Sequence, residues 1–149
     1  MTAREYFQAA RDAALAQRRL SARVAAMRAS EGLRAACFDG MPRASGASDP
    51  MDAVASRIDA ETDARRDMAA YAKTLADARA VCRGVRAANP SMRWGDVLEA
   101  RFCDAMDWAT VARVCYVSES RARADASAAM DWVDMVGIAA ARDGLGRSI

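Results

Sequence analysis

Apolar positions recur at three- and four-residue steps over nearly the whole chain. Nowhere do they alternate with polar ones along a β-branched run, so the pattern predicts an all-α protein. Tyr6, Ala10, Ala13, Leu20, Val24 and Met27 form one stripe and predict a helix over 3–36, its seam interrupted by Gln17 and Glu31. A second stripe runs through Met51, Val54, Ile58, Met68, Ala72, Leu75 and Cys82 and is widened by Val81 and Val85. It predicts a helix over 51–88 with heptad-like spacing, with Glu61 and Arg65 on the seam as a polar contact that fixes register. Two helices of similar length joined by a loop are expected to fold back as a long antiparallel, coiled-coil-like hairpin spanning 1–88.

The loop is 39–50, in which two glycines, two prolines and two serines cannot continue a helix. Ser48 or Asp49 is expected to cap the second helix, with Pro50 and Asp52 in its first turn. Asn89-Pro90 ends that helix, because the residue before proline is pushed out of the helical region. Ser91 is expected to cap a third helix running through Cys103, with Trp94, Val97, Leu98 and Phe102 on one face. Asp107 then caps a short helix, Trp108–Cys115, in which Val111, Ala112 and Cys115 point inward. After the break Cys115-Tyr116-Val117-Ser118, Ser118 caps a last helix packed through Ala122, Ala126, Ala129, Val133 and Val136. Two short helices separated by three or four residues are the pattern of a helix-turn-helix, here within 91–136. Gly137 and Gly144-Leu145-Gly146 mark 137–149 as a flexible tail.

Composition refines this picture. Hydrophobic residues are 53% of the chain, yet roughly a quarter of all residues are alanine, so the apolar fraction overstates the core. Alanine favours helices and buries little area, which suits long, closely packed helices. The net charge of +2 does not by itself imply a polyanionic partner, but its distribution is uneven. Residues 1–38 hold seven arginines against three acids, and 91–149 hold seven against nine. The first helix therefore reads as amphipathic with arginines solvating its outer face, or more sharply as a basic helix touching nucleic acid.

Cys37, Cys82, Cys103 and Cys115 form no C-x-x-C pair and the chain has no histidine, so zinc sites of the usual spacing are not supported and the cysteines read as buried thiols. No signal segment opens the sequence, no apolar run reaches the ~20 residues of a membrane span, and a reduced, cytoplasmic setting is expected. The loop lacks a phosphate-binding glycine pattern followed by Lys-Ser/Thr. No carboxylate pair or nucleophile–base arrangement is defended by spacing, so no enzyme, cofactor or metal is expected. Trp94, Trp108 and Trp132 fall on apolar faces and read as core anchors.

Two pieces together resemble a known group. The loop GMPRASGASDP is similar to that of small phage and prophage proteins which join a helical hairpin to a sigma-factor region-4-like helix-turn-helix, including the RinA- and ArpU-type phage transcriptional regulators. Val97-Leu98-Glu99-Ala100-Arg101-Phe102 and Met106-Asp107-Trp108-Ala109-Thr110-Val111-Ala112 look like the first two helices of that unit. The resemblance implies a DNA-binding transcriptional regulator acting at promoter double-stranded DNA or through RNA polymerase, with a recognition helix that begins after Ser118. Ser118, Ser120, Arg121, Arg123 and Ala124 would then lie toward the groove, and Ser127 one turn further on. Arginine bonds guanine bidentately and serine holds a phosphate or a base edge. The chain departs from the pattern at Tyr116, where the tight turn usually has glycine, and at Asp125, which replaces a buried aliphatic residue. Asp125 then pairs with Arg101 or Arg121, or the helix is rotated relative to the pattern.

The leading expectation is thus a regulator that dimerises through the hairpin, since two reading units suit two half-sites. The acidic balance of 91–149 keeps two others open: a protein-interaction module docking on RNA polymerase or another regulator, and a helical structural or assembly protein.

Overall fold

The computed structural model describes residues 1–37 and 50–146, with side chains from 1–31 and 51–146. All regular structure among these residues is helical: α1 (Ala3–Cys37), α2 (Pro50–Ala88), α3 (Trp94–Leu98), a π turn (Glu99–Cys103), α4 (Trp108–Cys115), α5 (Glu119–Val136) and α6 (Ile138–Arg142). The expected loop 39–50 with its Ser48 or Asp49 cap lies outside the described residues up to position 49. The chain divides into two compact units, Ala16–Ala70 and Met1–Leu15 with Tyr71–Ile149. This differs from the expected boundary between 88 and 91, because the start of α1 and the end of α2 belong with the short helices beyond position 90.

In the unit Ala16–Ala70 two ion pairs join α1 and α2: Arg28 Nε lies 3.0 Å from Glu61, and Arg57 lies 2.7 Å from Glu31. Glu61 does make the expected polar contact, while Arg65 is exposed rather than on the seam. Ala64 is the buried residue of this unit among the described side chains, with Leu20, Val24, Met27 and Met68 half-buried. Met51, Val54 and Ile58 are 73%, 40% and 52% exposed, so the first two turns of the second stripe stay largely open to solvent among the described residues. Alanine side chains are too short to cover a wide apolar stripe, so much of it stays wet.

The other unit carries the core. Phe7, Val81, Cys82, Val85, Val97, Leu98, Val111 and Val133 are fully buried, filled in by alanines from α1, α2, α5 and α6. Phe7, which the α1 stripe omits, meets Phe102 at 5.7 Å and the edge of Tyr6 at 5.3 Å between ring centres. Burial of such a ring stabilises by about 1.5–3 kcal/mol, more than any alanine of the stripe can supply. Backbones touch where side chains are absent: a Cβ on Gly95 would stand 2.7 Å from the Cys82 carbonyl oxygen, and one on Gly84 would stand 1.8 Å from that of Ala141.

Three expectations are corrected here. Ser91 does not cap α3; it lies in a turn closed by Met92 N–H on the Asn89 carbonyl at 3.1 Å, and Arg93 precedes the helix without a side-chain cap. The third helix is not one α-helix through Cys103. After Leu98 it widens, with Asp104 N–H on the Glu99 oxygen at 2.9 Å and Met106 N–H on that of Ala100 at 3.1 Å. Val97, Leu98, Ala100, Phe102 and Cys103 are all buried, a set that a 3.6-residue period would spread around the whole helix. Finally, 137–146 is not a loose tail. Gly137, at φ 90°, ends α5, and α6 then docks with Ala141 fully buried and Arg142 2.7 Å from Asp77; residues 147–149 lie outside the described set. Tyr6 OH also donates to Asp77, so one carboxylate ties α1, α2 and α6 together.

Candidate nucleic-acid interface

α3, α4 and α5 pack on one another, and their ends are set by local chemistry. Asp107 accepts the Thr110 N–H at 2.7 Å, as expected of a cap, and hydrogen bonding from Thr110 holds its carboxyl below the usual range. α4 ends on Tyr116 in the left-handed region, φ 57° and ψ 42°, and Val117 N–H returns to the Ala112 carbonyl at 3.0 Å. A non-glycine residue there costs about 1 kcal/mol, and the exposed ring adds no burial to offset it. Ser118 then accepts the Arg121 N–H at 3.2 Å and opens α5, so the turn is Tyr116-Val117-Ser118.

Of the six residues expected to face a groove, Ser118, Ser120, Arg121, Arg123 and Ala124 are exposed on the first turns of α5, whereas Ser127 is half-buried. Ala122, Asp125 and Ala126 face inward. Of the two partners open to Asp125, Arg121 is the one used, Nε to Oδ1 at 3.0 Å, with the arginine side chain 63% exposed and the carboxylate 9%. Arg101 is turned elsewhere.

The sequence gives no sign of what surrounds Trp108. The half-buried indole carries Arg101 at 4.5 Å and Arg123 at 5.1 Å from its ring centre, so it is a platform for cations as well as a core anchor. Arg101 Nη1 donates to the Met106 carbonyl at 2.9 Å, and Arg11 donates to the carbonyls of Arg101 at 2.8 Å and Met106 at 3.2 Å. The π turn and the left-handed Ala105 (φ 52°) just after it leave these two carbonyls free to accept. Burial first, then the charges of Arg11 and Arg123, press the Arg101 pKa below its usual value.

The acidic surplus of 91–149 is largely answered by α2. Arg86 pairs with Asp96 at 2.7 Å and with Glu99 at 2.8 Å, while Arg79 pairs with Asp104 at 2.7 Å and lies 3.7 Å from Glu99. These partners are far apart in sequence, so counting charges by segment overstated the acidity of 91–149. Cys82, Cys103 and Cys115 are free, buried thiols, as expected. The Cys82 thiol, hydrogen-bonded with Cys103, is held well above the usual thiol range, and Cys103 is lowered by the same hydrogen bond. Among the described residues no helix is long and apolar enough to cross a membrane. Comparison with family models, curated proteins and solved structures returned no match.

Proposed function

We propose that the chain is a DNA-binding transcriptional regulator of phage or prophage type, in which α3, α4 and α5 form a sigma-factor region-4-like helix-turn-helix and α5 enters the major groove. The observation that carries this reading is the three-residue turn, with its left-handed first residue and its Ser118 cap, leading into a helix that exposes Ser120, Arg121, Arg123 and Ala124. The neutralisation of Asp96, Glu99 and Asp104 by Arg79 and Arg86 supports it by reducing the field that would repel phosphates. In this reading α1 and α2 form a helical hairpin, two copies pair through the exposed stripe Met51, Val54 and Ile58, and the protein works in the cytoplasm.

The test is fluorescence anisotropy of the full chain with labelled duplexes tiled across its own genomic neighbourhood, at about 50 mM salt, where phosphate contacts are strong. Binding that falls steeply with salt and is weakened by Arg121→Ala supports the reading; no duplex bound above background defeats it. Sedimentation of the same samples checks the pairing, which Ile58→Asp should abolish. A second reading, docking on RNA polymerase without sequence-specific DNA contact, is favoured by Tyr116 and Val114, 85% and 49% exposed at the end of α4. It predicts that Tyr116→Ser abolishes capture of polymerase and leaves duplex binding unchanged.

A further inference from the structure

Two arginines lie over Trp108, and a third stands beside them on the carbonyls of Arg101 and Met106. Arg11 comes from α1, Arg101 from the π turn and Arg123 from α5, and all three belong to the same compact unit. Among the described residues none of them has a carboxylate within ion-pairing distance, whereas Arg79, Arg86, Arg121 and Arg142 all do. Arg101 Nε is buried with no hydrogen-bond partner. Asp107, the acid whose charge reaches Arg101, already uses Oδ1 to cap α4. Mutually repelling cations held together without an ion-pairing carboxylate, one with an unmet buried donor, are arranged for an anion that supplies both.

We propose that Arg11, Arg101 and Arg123 around Trp108 bind one phosphate of a nucleic-acid backbone. The inference rests on the DNA-binding reading and deepens it. The cluster lies at the first residue of α4 and on the first turns of α5, beside exposed Ser120 and Ala124. A strand running past the α5 face therefore passes the start of α4. The indole holds the two guanidinium groups by their faces; Arg101 keeps Nε unmet beside the Nη1 it gives to the Met106 carbonyl, Arg123 is exposed, and a tetrahedral oxyanion suits such forks. This moves Arg123 from reading a base edge to gripping the backbone. It also gives the basic first helix a role through a single side chain, Arg11.

The experiment compares the full chain with Arg123→Ala, Arg123→Lys and Arg101→Met on two duplexes of unrelated sequence, measuring log Kobs against log salt. Arg123 is exposed and, among the described residues, makes no hydrogen bond that its loss would break, and thermal melting checks that each variant is folded. Arg123→Ala should flatten the salt slope by about 0.9 and weaken binding roughly eightfold at about 100 mM salt, equally on both duplexes. Arg123→Lys should restore most of the slope, and Arg101→Met, if folded, should lose as much as Arg123→Ala. Wild-type binding with a slope untouched by Arg123→Ala overturns the phosphate site and leaves the DNA-binding reading standing. Loss on one duplex only also overturns it, because that is base reading. Failure of the wild type to bind any duplex removes the DNA-binding reading and this site with it.

Discussion

Gly84→Ala should change the sign of its effect depending on whether α6 is present. In the middle of a helix the substitution gains about 1 kcal/mol from backbone propensity alone. Here the new Cβ would stand 1.8 Å from the Ala141 carbonyl oxygen and 2.6 Å from that of Arg142, both backbone atoms of α6. Carbon and carbonyl oxygen settle no closer than about 3.3 Å, so α6 must withdraw by about 1.5 Å. That retreat exposes Ala141 and stretches the Arg142–Asp77 pair. The pair, some 40% exposed on each side, is worth only about 0.5 kcal/mol. Overpacking costs of about 1–3 kcal/mol together with the weakened pair then exceed the propensity gain, for a net loss of about 0.5–2.5 kcal/mol in the full chain. In a chain ended after Gly137 the three closest obstructing atoms are gone, and the same substitution should stabilise by up to about 1 kcal/mol. Urea unfolding monitored by circular dichroism in the two backgrounds gives the coupling directly. Equal effects in both would refute the idea that backbone contact with α6 is why position 84 is glycine.

Asp125→Ala should leave stability within about 1 kcal/mol of wild type, since replacing a buried ion with an apolar group is often neutral, and it should raise duplex affinity by releasing Arg121; weaker binding by a folded variant would count against this. Arg121→Ala, which strands the carboxylate, should cost about 1–2 kcal/mol in the same urea assay, the exposure of the arginine keeping the figure low. Ser118→Ala should cost about 1 kcal/mol and Ser118→Gly only a few tenths, and equal losses would mean that its hydroxyl does not cap α5. Burial, the bond to Asp77 and the Asp77 charge hold the Tyr6 phenol protonated well above the ordinary value, the nearby Arg142 opposing them weakly. A raised folded pKa means that this stabilisation is complete below about pH 10 and is lost as pH rises through the folded value. Tyr6→Phe should therefore cost about 1–2 kcal/mol at neutral pH and flatten the alkaline decline in stability, and an ultraviolet difference titration placing Tyr6 at about pH 10 would contradict it.

What was legible in the chain was local. Asp107 and Ser118 announce their helices because a cap acts on backbone groups three residues away, and both make the expected bond. Periodicity likewise marked α1, α2 and the inward residues of α4 and α5. Illegible were contacts between distant residues: Phe7 on Phe102, Arg79 and Arg86 on the acids after position 95, and Arg11 on the Met106 carbonyl. Ser91 misled because a serine before a helical pattern looks the same whether it caps or merely turns. Gly137 misled because glycine ends a helix equally well before a tail and before another helix; the buried Ala141 and the bare Gly84 that receives it are 57 positions apart. The candidate site was half visible. The exposed face of α5 could be named residue by residue, while the role of Trp108 depends on side chains that only the fold brings to it.

The π turn at Glu99–Cys103 amounts to one surplus residue in a helix, and that sets a phase. Losing a single codon there would let the segment wind as an ordinary α-helix, turning the downstream chain by about 100° relative to Val97 and Leu98. Arg101 would leave the indole, the Met106 carbonyl would lose its two arginines, and α4 would start from a different bearing. The arginine cluster is thus a trait that a lineage can acquire or discard in one insertion or deletion, with every residue of α4 and α5 left as it was.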